Sequence, residues 1–186
     1  MTQTALYGSL ERCPVIAAIH DRFFSDALAS PAEVVFLLGG NLISIEDRIR
    51  DAHNAGKYIF IHIDLAEGVG KDRAGIQFLA KCGADGIIST RANMIRIARD
   101  QGLATVQRFF ALDSQGVDSI QEMLETSTPD LIEIMPGVIG KIIQRFSNAK
   151  APLIAGGLVQ TKAEVTQALS MGAFAVSTGK QELWYL

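Results

Sequence analysis

The chain alternates short, continuously apolar runs with longer segments in which apolar residues recur at intervals of three and four. The longer segments, such as "ISIEDRIRDAHNAGK" and "TKAEVTQALSMGA", are typical of helices with one buried face. In the second of them, Thr161 and Glu164 form the pattern of a capping box. The apolar runs are typical of buried strands, and there are eight in order: "PVIAAIH", "EVVFLLGG", "YIFIHID", "DGIISTR", "ATVQRFF", "DLIEIMPG", "PLIAGG" and "AFAVSTG". Strands of this kind, alternating with helices, predict a parallel sheet covered on its outside.

Eight strand–helix units predict an α/β fold of one kind, a closed (β/α)8 barrel of the TIM type. We expect residues 1–186 to form this barrel as a single domain, and 186 residues make it a compact one. The first unit departs most from the pattern, because "DRFFSDALASPAE" has room for a helix of only about two turns. An irregular or open first quarter of the barrel is compatible with this segment.

Composition and charge narrow the class of protein. Hydrophobic residues make up 48% of the chain and charged residues 20%, as in folded soluble domains. The apolar runs are shorter than the roughly 20 residues that a membrane-spanning helix needs, and the start of the chain lacks the pattern of an export signal, so we expect a cytoplasmic protein without membrane contact. The net charge of −3 gives no overall attraction to nucleic acid, so any RNA contact needs a local basic patch.

Two glycines and two hydroxyl side chains stand at the ends of the last two predicted strands. In TIM-type barrels these two loops commonly bind phosphate, because backbone N–H groups there face the anion. Glycine at 156 and 157 lets a phosphate approach the backbone, and the hydroxyls add donors. The predicted phosphate site therefore consists of Gly156, Gly157, Ser177 and Thr178. The alternative is that no phosphate binds here, so that the two glycines only form a tight turn and Ser177 and Thr178 only end the last strand.

The third predicted strand ends in titratable side chains that allow three kinds of chemistry. His62 and Asp64 in "IHID" share one side of the strand, because side chains alternate in direction along it. With His20 and Glu133 they could bind a metal ion, act as acid and base at a sugar carbon, or bind the hydroxyls of a small polyol. One histidine and one carboxylate two residues apart are a weak metal signal, so we assign no metal.

A cluster of basic residues surrounds the fourth and fifth predicted strands. Its members are Arg91, Arg96, Arg99 and Arg108. Arginine at the two strand ends could bind an anionic ligand or an RNA phosphate, and Phe109 and Phe110 could stack on an unpaired base. The alternative is a solvated helix face next to phenylalanines that pack against the barrel.

Four sequence words, "IISTR", "QRFFALDS", "IEIMPG" and "AGGL", resemble the glycerol-3-phosphate responsive antiterminator family, which regulates bacterial glycerol uptake operons. The resemblance covers about residues 58–184 and is thinner before them. It implies a regulator that binds glycerol-3-phosphate as its effector and then binds the leader RNA of a glycerol operon, favouring read-through of a terminator. It implies no turnover, hence no catalytic residue and no cofactor.

Carried over word by word, the resemblance assigns roles to individual residues. "AGGL" implies phosphate contacts at Gly156 and Gly157, and Lys180 after "STG" is a further candidate contact. The polyol part of the ligand is assigned to Asp64, Arg91, Arg108 and Glu133. No motif defines the surface that binds RNA, and the candidates are again Arg91, Arg96, Arg99 and Arg108.

Two other functions remain open from the sequence. The first is a phosphosugar enzyme, a lyase or an epimerase, with acid and base drawn from His62, Asp64 and Glu133. A Schiff-base aldolase needs a strand-end lysine, and we expect no lysine at a strand end, because the lysines lie in helices or in loops before strands: Lys57, Lys81, Lys141, Lys150 and Lys162. The second is a barrel that binds a metabolite and a protein partner. An oligomer is compatible with the sequence.

Overall fold

Eight parallel strands close into a barrel in the computed structural model, which describes residues 3–186. The strands follow one another around the barrel in chain order, and β8 pairs with β1 to close it. They are β1 (Val15–Ile19), β2 (Val34–Leu37), β3 (Tyr58–His62), β4 (Gly86–Ser89), β5 (Ala104–Phe110), β6 (Leu131–Met135), β7 (Leu153–Gly156) and β8 (Ala175–Thr178). The prediction of an α/β fold with a (β/α)8 barrel is confirmed.

Helices surround the barrel, and one follows each of the first seven strands. The helices are α1 (Gln3–Arg12), before the first strand, and α2 (Phe24–Ala29), α3 (Ile45–Asn54), α4 (Arg73–Lys81), α5 (Ala92–Asp100), α6 (Ser114–Ser127), α7 (Gly140–Phe146) and α8 (Lys162–Ser170). After β8 the chain forms a 3₁₀ helix, Gln181–Tyr185. Between residues 3 and 186, no helix is both long enough and apolar enough to cross a membrane.

The first strand–helix unit is irregular, as its short helical segment predicted. It consists of a 3₁₀ turn, Asp21–Phe23, that leads into the six residues of α2. The barrel is nevertheless closed at this point, because β1 and β2 pair in parallel with Ala17 opposite Val35. The irregularity is therefore confined to the helical layer.

The predicted capping box at the start of α8 is present. The hydroxyl of Thr161 accepts a hydrogen bond from the Glu164 N–H at 3.2 Å. The Glu164 carboxylate in turn accepts from the Thr161 N–H at 2.9 Å and from the Gln160 N–H at 2.8 Å. These contacts fix the end of the loop that connects β7 with α8.

Each strand is buried on both faces, because alternate side chains point into the barrel and towards the helices. Ile16, Phe36 and Phe60 belong to the cluster that fills the barrel interior. Helix α1 adds Leu6 and Leu10 to the same cluster, so it closes the amino-terminal end of the barrel. This closing role of α1 was not foreseen from the sequence, and it leaves the carboxyl ends of the strands as the place for a binding site.

Candidate functional site

A cavity of about 370 Å³ lies at the carboxyl ends of the strands. Its wall includes residues 157–160, which follow β7, and residues 177–180, at and after the end of β8. Arg108 of β5 and Glu133 of β6 line its inner part. Five of the residues that the sequence predicted for a ligand therefore line this cavity: Arg108, Glu133, Gly157, Ser177 and Thr178. A sixth, Gly156, lies beside them, next to Glu133 and Ser177.

Glu133 is the centre of a buried hydrogen-bonded group inside the cavity. The Arg108 Nε donates to Glu133 Oε2 at 2.6 Å, and the Ser177 hydroxyl donates to Glu133 Oε1 at 2.5 Å. Glu133 is 1% exposed and Arg108 7% exposed, so the ion pair lies almost out of contact with bulk water. The alternation along β5, β6 and β8 brings the three side chains together, since each occupies an inward-facing position.

Gly156 makes room for this group. A Cβ atom at position 156 would lie 2.5 Å from Glu133 Oε1 and 2.8 Å from Ser177 Oγ, which are distances shorter than van der Waals contact allows. Gly156 is thus required by the close approach of two side chains. The missing side chain at this position leaves the space that the Glu133 carboxylate occupies.

The loop after β7 turns through two residues with left-handed backbone. Gly157 has φ +73° and Leu158 has φ +62°, a conformation that glycine adopts freely and leucine rarely adopts. Within residues 3–186, the backbone N–H groups of Gly157, Leu158 and Gly179 donate no hydrogen bond to another residue. All three residues line the cavity, so the two loops bring unpaired donors to it.

The hydroxyls of the predicted phosphate site are already engaged within the protein. The Ser177 proton goes to Glu133, and the Thr178 hydroxyl donates to the Val159 carbonyl at 2.7 Å. Thr178 Oγ1 also accepts from the Lys180 N–H at 3.1 Å. Ser177 and Thr178 therefore line the cavity, but their hydroxyl protons are used within the protein, where they hold Glu133 and the loop after β7.

A second ion pair, Asp64 with Arg91, lies apart from the cavity wall. Asp64 accepts from Arg91 Nε at 2.9 Å and Nη2 at 2.7 Å, from the Thr90 N–H at 2.8 Å and from the Ser89 hydroxyl at 3.0 Å. Burial raises the pKa of Asp64, but these hydrogen bonds outweigh it and hold the pKa below its usual range. The four predicted polyol ligands thus form two separate pairs, and only the Arg108–Glu133 pair lines the cavity.

His62 faces the barrel interior and is buried at 3% exposure. Its Nδ1 atom has no hydrogen-bond partner in the described part of the chain. Burial, reinforced by the positive charge of Arg108, lowers the pKa of His62 to about 4, so the ring is neutral at pH 7. Among residues 3–186, no three of the His, Cys, Asp and Glu side chains are grouped so as to hold a metal ion.

We expect the NMR titration of the His62 imidazole to show a midpoint near pH 4. The folded state binds this proton less readily than the unfolded state, for which the pKa is about 6.5. The stability contributed by neutral His62 is therefore complete above about pH 6.5, and about 3 kcal/mol of it is lost as the pH falls towards 4. His62→Gln should remove the titrating signal and this part of the pH dependence. A titration midpoint near 6.5 would contradict the buried neutral ring.

The four arginines predicted for RNA binding occupy three different places. Arg108 lies inside the cavity, and Arg91 is bound to Asp64. Arg96 and Arg99 are exposed on α5, where Arg99 Nη1 donates to the Thr128 carbonyl at 2.7 Å. The structure therefore does not unite the four into one surface.

The two phenylalanines beside Arg108 differ in exposure. Phe109 is buried in the layer between strands and helices, and Phe110 is half exposed. Of the two, only Phe110 is therefore accessible for stacking on a base.

One basic residue near the mouth was overlooked in the sequence. Lys71 lies in the loop after β3, where its Nζ donates to the Ala66 carbonyl and burial lowers its pKa. The statement that lysines avoid strand ends is therefore too broad, and counting residues along the β3–α4 loop would have found Lys71. The inward-facing positions at the strand ends hold His62, Arg108, Glu133 and Ser177 and, over the described residues, no lysine.

The family model of the glycerol-3-phosphate responsive antiterminators matches residues 15–184, from the first strand to the last 3₁₀ helix. The chain belongs to this antiterminator family. The match covers both loops of the cavity and the Arg108–Glu133 pair. It also extends through the first two strands, where the sequence words were thinnest.

The chain is similar along most of its length to one curated protein and to two solved antiterminator structures. The uncharacterized protein YgcP of Escherichia coli (strain K12) is 39% identical over 180 residues, which are 95% of this chain and 94% of YgcP. A glycerol uptake operon antiterminator regulatory protein of Listeria monocytogenes is 32% identical, with a TM-score of 0.86 over 91% of this chain and 94% of that one. An antiterminator-related protein of Thermotoga maritima is also 32% identical, with a TM-score of 0.82 over 91% and 96%. Aldolase structures that are 10% identical share the barrel fold alone.

Proposed function

We propose that the chain is a transcription antiterminator that binds glycerol-3-phosphate in the mouth cavity and then binds the leader RNA of a glycerol operon. The observation that carries the proposal is the combination of unpaired backbone donors at Gly157, Leu158 and Gly179 with the buried Arg108–Glu133 pair in one cavity. One end of the cavity suits a phosphate, and the other suits hydroxyl groups. Membership of the antiterminator family supports a regulatory role.

The phosphate of the ligand is proposed to lie against the loops after β7 and β8. Backbone N–H groups bind phosphate oxygens without a side chain of their own, and Lys180 adds a positive charge beside them. Lys180 lines the cavity and pairs with the exposed Glu182 at 2.9 Å. A surface ion pair of this kind contributes little free energy, so Lys180 can exchange Glu182 for a phosphate at little cost.

The glycerol hydroxyls are proposed to meet Arg108 and Glu133. Glu133 uses one lone pair on each carboxylate oxygen for Arg108 and Ser177, so each oxygen keeps acceptor capacity for a hydroxyl. The Nη atoms of Arg108 donate to no other described residue, and Arg108 lines the cavity. A polyol that both donates and accepts hydrogen bonds is therefore complementary to the pair.

Ligand binding is proposed to be linked to RNA binding. The ligand would order the loops at the mouth, and the RNA would prefer the ordered state. The linkage is reciprocal, so RNA must tighten the ligand by the same factor. A coupling of about 1–3 kcal/mol, which is typical of such switches, changes affinity roughly 5- to 150-fold.

Two titrations test the proposal. Glycerol-3-phosphate at about 100 times its Kd should raise the unfolding free energy by about 2.7 kcal/mol, whereas glycerol at the same concentration should not. A gel-shift titration with the leader transcript of the operon that encodes the chain should show tighter binding when glycerol-3-phosphate is present. Equal RNA affinity with and without the ligand would refute the linkage, and no RNA binding in either case would refute the antiterminator function.

The phosphosugar-enzyme alternative has less support. A lyase or epimerase of this fold needs an acid and a base that are free to exchange protons with the substrate. The Glu133 carboxylate is held by Arg108 and Ser177, and Asp64 is held by Arg91, Thr90 and Ser89. Incubation with triose and pentose phosphates in heavy water, followed by NMR, would reveal any exchange of carbon-bound protons.

A further inference from the structure

A groove of about 670 Å³ runs along the outside of the barrel between α4, α5 and α6. Three arginines line it: Arg73 at the start of α4, and Arg96 and Arg99 on α5. Asp100 is its one acidic lining residue. We call it the arginine groove, and it is separate from the cavity at the mouth.

The arginine groove lies in the basic part of an acidic chain. Residues 71–100 contain six basic and three acidic side chains, a net charge of +3, whereas the whole chain has −3. Arg73 and Asp100 approach to 3.7 Å, but both are more than half exposed, so their attraction is screened by water and salt. The Arg96 side chain has no hydrogen-bond or ion-pair partner between residues 3 and 186. The groove therefore keeps a positive potential.

We propose that the arginine groove binds the phosphodiester backbone of RNA. This inference rests on the proposed antiterminator function and names the surface that the function requires. Guanidinium groups bind phosphate oxygens with paired N–H donors, and an acidic protein must concentrate its basic residues in order to hold RNA at physiological salt. The earlier candidates Arg91 and Arg108 are replaced by Arg73, because neither lines the groove and both are closely hydrogen-bonded to a carboxylate, at 2.7 Å and 2.6 Å, whereas Arg73 is 3.7 Å from Asp100.

The composition of the groove favours RNA over a protein partner. Protein interfaces centre on large apolar or aromatic side chains. The exposed large apolar side chains lie outside the groove, and six of them are at the barrel mouth, where Phe110 ends β5 and the other five are in loops: Leu42, Ile43, Leu65, Leu112 and Leu158. The groove itself offers Ile97, which is partly buried, among polar residues. Its chemistry is that of a phosphate-binding surface.

Helix α5 also connects the arginine groove to the barrel mouth. Helix α5 begins at Ala92, directly after Arg91, and both the Arg91 side chain and the Thr90 N–H donate hydrogen bonds to Asp64 in the loop after β3. The start of α5 is thus fixed at the barrel mouth, and Arg96 is carried one turn further along the same helix. A ligand whose ordering effect extends across the mouth to the Asp64–Arg91 pair would therefore act on the segment that positions the groove.

The test compares two charge-reversal variants. Arg73→Glu/Arg96→Glu changes the groove and spares Arg99, which holds the end of α6 through Thr128. Arg50→Glu is the control for charge reversal outside the groove, because Arg50 is an exposed α3 arginine paired with Asp47. Binding of the leader transcript is titrated at two salt concentrations with saturating glycerol-3-phosphate, and binding of glycerol-3-phosphate is measured separately by calorimetry.

The double variant should bind the transcript about tenfold more weakly or worse, with a salt dependence shallower by about 1.5 in the log–log slope. Its affinity for glycerol-3-phosphate should equal that of the wild type, and Arg50→Glu should match the wild type in both assays. If the wild type binds the transcript and the double variant binds it no more weakly than Arg50→Glu does, the proposal for the groove is wrong, but the antiterminator function is not affected. A wild-type chain that binds no transcript would overturn the antiterminator function and the groove together, and preferential binding of polyglutamate would reassign the groove to an acidic protein.

Discussion

Replacing Arg108 by methionine should lower the free energy of unfolding by about 3–5 kcal/mol and abolish binding of glycerol-3-phosphate. The reason is the burial of Glu133, which is 1% exposed and would keep only the Ser177 hydroxyl as a partner. An unpaired carboxylate in such a place loses its hydration without compensation. Methionine has a similar length, so the change removes mainly the charge and its hydrogen bonds.

Two further variants separate the charge effect from a packing effect. Arg108→Met combined with Glu133→Gln should recover most of the lost stability, because no unpaired charge remains, but it should not recover the ligand. Arg145→Met breaks an exposed pair with Asp118, in which the two side chains approach to 2.6 Å, and should cost less than about 1 kcal/mol. Denaturant unfolding measures all three, and equal stability of Arg108→Met and Arg145→Met would contradict the buried pair.

The positions of the site residues could be predicted because they depend on periodicity. The apolar runs define the strands, and the chain order of strands in this fold brings the ends of β5, β6, β7 and β8 together. The placement of Arg108, Glu133 and Gly156 at neighbouring strand ends follows from this order. The capping box at Thr161 follows from the local pattern of residue types at the start of a helix. The same reasoning predicted that a short helix would follow β1.

The partners of these residues could not be predicted in the same way. Arg108 and Glu133 are 25 residues apart, and Ser177 is 44 residues from Glu133. Which side chain meets which depends on strand register and rotamer, and hydrophobic periodicity carries neither. The sequence therefore placed two hydroxyls beside the proposed phosphate site without indicating that Glu133 and Val159 already accept their protons.

Residues outside the strand–helix repeat were the hardest to foresee. Helix α1 has no strand before it, so its Leu6 and Leu10 have no predicted surface to cover until the barrel interior is known. Arg73 and Arg96 lie on neighbouring helices, and their common groove results from how those helices pack. Tertiary packing decides both cases.

Replacing Gly156 by alanine should weaken glycerol-3-phosphate binding by about 100-fold or more, equivalent to about 2.7 kcal/mol. The added Cβ would lie 2.5 Å from Glu133 Oε1 and 2.8 Å from Ser177 Oγ, so both side chains must move away from the positions that shape the cavity. Because both are buried and hydrogen-bonded to each other, we also expect a stability loss of about 1–3 kcal/mol.

Two other glycines provide controls for the Gly156→Ala change. Gly8→Ala, in α1, places its Cβ 3.5 Å from the Arg12 side chain and should stabilise the chain by about 0.5–1 kcal/mol without altering ligand affinity. Gly157→Ala must strain a left-handed residue, but the Cβ there meets the flexible end of Met135, so its stability loss should be about 1–2 kcal/mol.

If positions 156 and 157 formed only a tight turn, both variants would lose stability while calorimetry of the folded proteins at low temperature showed wild-type affinity. A loss of affinity that is largest at Gly156 would instead tie this glycine to the buried carboxylate that the polyol is proposed to contact.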